Sequence, residues 1–146
     1  MPAPLQATPE NHHAIEARFR RGAELYNAGY YWEAHEEWEV LWHAYGRRGP
    51  EADVVKALIK LAAAGVKVRE RQDHGVRTHA HRAAELFGTV RDQAGRYQLG
   101  IDLDEWAGHA RAIALDPPQD PGPTGAPVVR VFGVTIEIDP TRQPID

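Results

Sequence analysis

The stretch from Gly29 to Trp42, GYYWEAHEEWEVLW, limits what this chain can fold into more than any other. It carries three tryptophans, two tyrosines, four glutamates and one histidine. So many rings need a core on one side, and so many carboxylates need water on another. A helix meets both demands. At about 100° per residue, Tyr31, Ala34, Trp38, Leu41, Trp42 and Tyr45 share one apolar arc, and Glu33 and Glu37 fall on the far side. His35 and Glu39, four apart, lie at the edge of that arc, with Trp32, Glu36 and His43 continuing round from them. The aromatic core expected from this helix is Tyr31, Trp38 and Trp42.

The rest of the chain supplies helices to pack against it. Thr8-Pro9-Glu10 reads as a cap, a first-turn proline and an acid suited to a helix start, and that helix runs to about Asn27. Gly29 stops it as the left-handed residue. A third helix spans about Glu51 to Arg71, with Ala62, Ala63, Ala64 and Gly65 permitting a close neighbour. Its other side aligns Lys56, Lys60, Lys67 and Arg71. Gln72 to Gly75 reads as a turn, and a fourth helix runs from about Val76 to Gln93, with His79 inward and His81 outward beside Glu85. Gly95 to Gly100 reads as loop, and Asp102 caps a fifth helix from Leu103 to about Leu115. Asp116 to Pro127, DPPQDPGPTGAP, cannot be helical. Val128 to Ile138, VVRVFGVTIEI, is β-rich with partial alternation. The fold expected is all-α: an antiparallel bundle of about five helices with a Pro-rich linker and a short β-like C-terminal arm. The divisions are a flexible N-terminus (1–8), a helical bundle domain (9–115), the linker (116–127) and an extended or β-hairpin arm (128–146). A lone hairpin is marginal in water, so the arm is expected to fold back or to dock on a partner subunit, making a homo-oligomer through the arm.

Two runs match a known pattern. Tyr31-Trp32-Glu33-Ala34-His35-Glu36-Glu37-Trp38-Glu39, followed by Leu41-Trp42, resembles the signature of the domain of unknown function 309 family, an aromatic, Ala-His-Glu, Trp-Glu and a further Trp. Ala57-Leu58-Ile59-Lys60-Leu61-Ala62-Ala63-Ala64 resembles that family's second signature, a Leu-Ile-x-Leu-Ala-Ala helix. The resemblance covers roughly Phe19 to Val90. It departs at Lys60, where relatives often carry an amide, and near Lys67, where they often carry an aromatic or a histidine. It implies a small helical protein and supplies no activity.

Composition narrows the chemistry. There is no cysteine and no serine, which removes disulfides, thiolate metal sites and cysteine or serine nucleophiles. The formal net charge of -4 argues against nonspecific nucleic-acid binding. No apolar run approaches membrane-spanning length, so no membrane partner is expected. The N-terminus shows no basic or apolar signal region, and a cytoplasmic protein is the expectation. No phosphate-binding glycine loop is present.

Function is therefore unknown from the sequence, and three readings of one polar cluster stand side by side. The cluster is His35, Glu36, Glu39, Lys60 and His79. In the first reading the Ala-His-Glu motif braces helix packing, with Glu39 accepting from an indole N–H or a lysine. In the second, His35, Glu39 and His79 hold a divalent metal ion and Glu36 is the catalytic base of a hydrolase; the His-Glu-x-x-Glu spacing differs from the zincin motif because Glu39 replaces its second histidine. In the third, Lys56, Lys60, Lys67 and Arg71 form an anion or nucleic-acid site.

Overall fold

In a computed structural model the chain is an all-α protein, described here over residues 4–123, 126 and 128–143. A short 3-10 turn at Pro9–Asn11 leads into α1 (His12–Asn27), followed by α2 (Tyr31–Ala44), α3 (Pro50–Arg69), α4 (Asp73–Ala94) and α5 (Leu103–Leu115). Each helix packs on the next. Contacts near opposite ends of each pair show that neighbours run antiparallel. Phe19 and Tyr26 of α1 meet Trp38 and Tyr31 of α2. Lys56 and Gly65 of α3 meet Trp42 and Tyr31 of α2. Arg91 and Arg77 of α4 reach Asp104 and Leu115 of α5. Among the described residues no helix is long and apolar enough to cross a membrane.

Two glycines explain how closely α2 is held. A Cβ at Gly22 would lie 2.1 Å from Trp38 Nε1, and one at Gly65 would lie 2.6 Å from the Tyr31 ring. Both rings rest on bare backbone, so α2 sinks between α1 and α3. Trp38, Ala34 and Leu41 are fully buried as a result, and Tyr31 nearly so. Trp42, expected in the same core, is only half-buried, because it lies where the apolar arc of α2 turns out toward α3. Trp32 is 58% exposed and belongs to no core.

The helix ends differ in detail from the expectation. Thr8 makes no side-chain capping bond, and the chain enters α1 through the 3-10 turn instead. The break between α3 and α4 falls earlier than expected: Arg71 takes a positive φ of 58°, and Asp73 to Gly75 already form the first turn of α4. Asp102 caps α5 as expected, accepting from the backbone N–H of Asp104 and Glu105. The segment expected to be loop holds a two-residue hairpin, β1 (Tyr97–Gln98) and β2 (Ile101–Asp102), turned by Leu99 and Gly100 at φ 55° and 79°.

Over 128–143 the C-terminal arm forms no strand of its own, and it turns at 140–141. It folds back across α1 and α2. Before it, in the linker, Arg69 bonds to Asp120 and to the Ala126 carbonyl. Tyr31 Oη accepts from the backbone N–H of Val131 and Phe132 at 3.0 and 3.2 Å. The Asn27 amide clasps Ile136 at both backbone atoms, at 2.9 and 2.7 Å. Phe132 and Ile136 are buried in the same core as the helices. Side chains of α1 and α2 thus replace the ladder that a neighbouring strand would offer.

Candidate functional site

The antiparallel register of α2, α3 and α4 brings one set of polar residues to a common seam. Lys56, Lys60, Ala63 and Lys67 run along α3 at helical spacing. At one end Lys56 Nζ lies 5.4 Å from the centroid of the Trp42 ring on α2. At the other, the methylenes of Lys67 pack over Gly75 of α4. Midway, His35 of α2 and His79 of α4 approach from opposite sides; both are half-buried, and so are Lys60 and Ala63. Trp32, one turn before His35, stacks on its ring with centroids 5.5 Å apart and planes 6° from parallel.

The seam is electropositive and short of acceptors. The His79 imidazole titrates below its ordinary value, first because burial disfavours its charged form, then because Lys60, Lys67 and His35 repel a proton there. Lys67 is paired with Glu70 at 3.0 Å, but Lys60 makes no ion pair among the described residues. His35 Nδ1 and Trp42 Nε1 are both buried and both lack a hydrogen-bond partner. An indole N–H can only donate. Leaving such a group buried and unpaired costs about 1–3 kcal/mol.

The expected cluster is therefore only partly assembled. His35, Lys60 and His79 come together. Glu36 faces the other way, lining a groove with Arg18, Arg21 and Glu37 on the α1 side, where Arg18 and Glu37 pair at 2.9 Å. The catalytic role considered for Glu36 places it beside His35, and one step of 100° along α2 separates them. Glu39 is exposed and accepts from no indole and no lysine. The metal set of His35, Glu39 and His79 does not form: among the described residues no group of three or more His, Asp or Glu side chains is placed to hold a metal ion. The physical reason is placement, since Glu39 is exposed on α2 while His35 and His79 are half-buried. Of the basic set, Arg71 leaves the stripe; it lies past the end of α3 and reaches Asp120 at 3.7 Å. Trp32 was visible in sequence as a neighbour of His35, but its role as an exposed platform depends on what α3 leaves uncovered.

A family described as "Domain of unknown function (DUF309)" has a model that matches residues 19–79. The match runs from Phe19 to His79, so it contains the whole seam. No curated protein matches the chain.

Proposed function

We propose that this chain, whose residues 19–79 match the model of the domain of unknown function 309 family, a family whose description assigns no chemistry, is a helical binding module whose α2–α3–α4 seam takes a small anionic group. The Ala-His-Glu motif then has two jobs. Ala34, with nearby Trp38, braces the packing from the buried side, and His35 faces the ligand from the seam. A phosphate or carboxylate oxygen would accept from Lys60 Nζ, from an imidazole N–H and from the Trp42 indole, and a flat part of the same molecule would lie against Trp32. The observation that carries this reading is the pair of buried, unpartnered nitrogens, His35 Nδ1 and Trp42 Nε1, beside an unpaired lysine. An indole N–H, a lysine ammonium and an imidazole in the tautomer protonated at Nδ1, gathered on one side of α2, are what an anion needs.

The test is a titration of the isotope-labelled protein with inorganic sulfate, following the Trp42 indole proton and the His35 and His79 ring resonances. Saturable shifts at all three are expected, with affinity at least about tenfold weaker in Lys60→Met, the scale of one charge-assisted hydrogen bond. Shifts that never saturate, or that are unchanged in Lys60→Met, would rule the site out.

A further inference from the structure

A second feature shares no lining residue with the seam. Between the end of α1, helix α5 and the C-terminal arm there is a cavity of about 380 Å³. Its walls include the rings of Tyr26, Trp106 and Phe132 and the side chain of Val134, with His109 and Asp116 as its ionisable members. The volume falls within the range of small-molecule sites, and aromatic walls with a few polar groups are their usual make-up.

Tyr26 is the residue that gives the cavity its chemistry. It is 2% exposed and sits among four rings, with centroids 5.3 Å from Tyr31, 5.9 Å from Trp38, 6.0 Å from Phe132 and 6.2 Å from Trp106. Buried phenols ordinarily find a hydrogen-bond partner. Tyr31, the nearest hydroxyl-bearing ring, spends its oxygen on the arm. The Tyr26 hydroxyl makes no hydrogen bond among the described residues. Burial raises Tyr26 well above the usual phenol range, so it keeps its proton and can donate to an acceptor that enters the cavity.

We propose that this cavity binds a small, flat, uncharged aromatic molecule bearing a carbonyl oxygen, which accepts from the Tyr26 hydroxyl while its ring packs between Trp106 and Phe132. The polar members decide the charge. His109 lies 3.6 Å from Glu105 and edge-on to Trp106, so it is already engaged. Asp116 adds a carboxylate that disfavours an anionic ligand, which leaves a neutral acceptor as the match to Tyr26. Because Val131 to Val134 of the arm form one wall, an occupied cavity also holds the arm against the bundle.

The experiment compares acetophenone with ethylbenzene, which has nearly the same shape and no acceptor, by nuclear magnetic resonance titration of the full chain. Saturable shifts of the Trp106 indole proton are expected with both, acetophenone binding about tenfold tighter, as one buried hydrogen bond allows. In Tyr26→Phe that ratio collapses to about one, since the hydroxyl is what separates the probes. Ala112→Phe, at an exposed position that lines the cavity, abolishes both shifts without touching the core. Should Tyr26→Phe fail to fold, the wild-type ratio and the Ala112→Phe block still decide. The proposal is overturned if neither probe saturates, if both bind equally to the wild type, if the ratio survives Tyr26→Phe, or if both probes still bind to Ala112→Phe.

Discussion

Trp38 and Trp42 stand four residues apart on α2, and each brings one indole N–H to the surface of another helix. Toward α1, Trp38 is fully buried and its N–H is directed at the Phe19 carbonyl, at a long 3.5 Å. Nearby on that side, Tyr31 Oη accepts two backbone N–H groups and Asn27 engages Ile136 twice. Toward the basic stripe of α3, Trp42 is half-buried and its N–H meets nothing, and His35 Nδ1 fares the same. The difference teaches where the fold supplies its own partners and where it does not. The Tyr31 oxygen and the Asn27 amide, which face the protein's own arm, find partners in its backbone. On the seam side His35 Nδ1 and Trp42 Nε1 have no partner among the described residues, and the proposed anion would supply one.

The largest effect should come from attacking the filled side. Gly22→Ala forces a methyl group to within 2.1 Å of Trp38 Nε1, and the ring has no empty space to enter. We expect a loss of about 3 kcal/mol of stability, at the upper end for overpacking, measured by chemical denaturation. Ala63→Leu, on the half-exposed floor of the seam, should cost well under half of that. Equal losses would erase the contrast between the two sides. Next in size is Tyr31→Phe, which strands the N–H groups of Val131 and Phe132. It should cost about 1–3 kcal/mol and speed hydrogen exchange at those two amides before any other in the arm. An unchanged exchange rate would mean the arm is held by Phe132 and Ile136 alone.

How much of this was legible in the sequence follows from the same division. The five helices were readable because their apolar residues recur at helical spacing, and Asp102 announced its cap. The arm was ambiguous: Val128 to Ile138 has strand-like propensity, yet propensity does not say whether a neighbouring edge exists, and here Asn27 and Tyr31 serve instead. Within the site, a helical wheel placed His35 at the edge of its apolar arc, Lys60 in the basic stripe of its helix and His79 on the inner face of its own. It could not say which border each neighbour covers. Glu36 therefore turned out to face α1, Trp32 to be exposed, and Arg71 to be drawn off by Asp120. The cavity beside Tyr26 was not legible at all, because it is walled by the arm, whose docking is a long-range fact.

On the seam the expected cost of substitution is small, and that sharpens the contrast. Replacing His35 by Phe or Lys60 by Met removes groups that the fold does not pair, so stability should move by less than about 1 kcal/mol in either direction. A loss comparable to that of Tyr31→Phe would show a partner within the fold and return the motif to a purely bracing role.

The smallest effect is the most specific. His79 has a folded pKa below its ordinary 6.5, set first by burial and then by Lys60, Lys67 and His35. As pH falls through 6.5 the unfolded chain takes up this proton before the folded one does, so this group lowers stability progressively until the folded imidazole also titrates. Lys60→Met should raise the His79 titration point, but not the whole way to 6.5, because burial remains. Sulfate on the seam should raise it in the wild type, and by linkage sulfate should bind more tightly as pH falls across the same window. Sulfate keeps its charge there, so any change belongs to the protein. A His79 titration curve indifferent to both sulfate and Lys60→Met would place the imidazole outside the field of the seam. The donors of α2 would then be unpaired for a reason other than an anion.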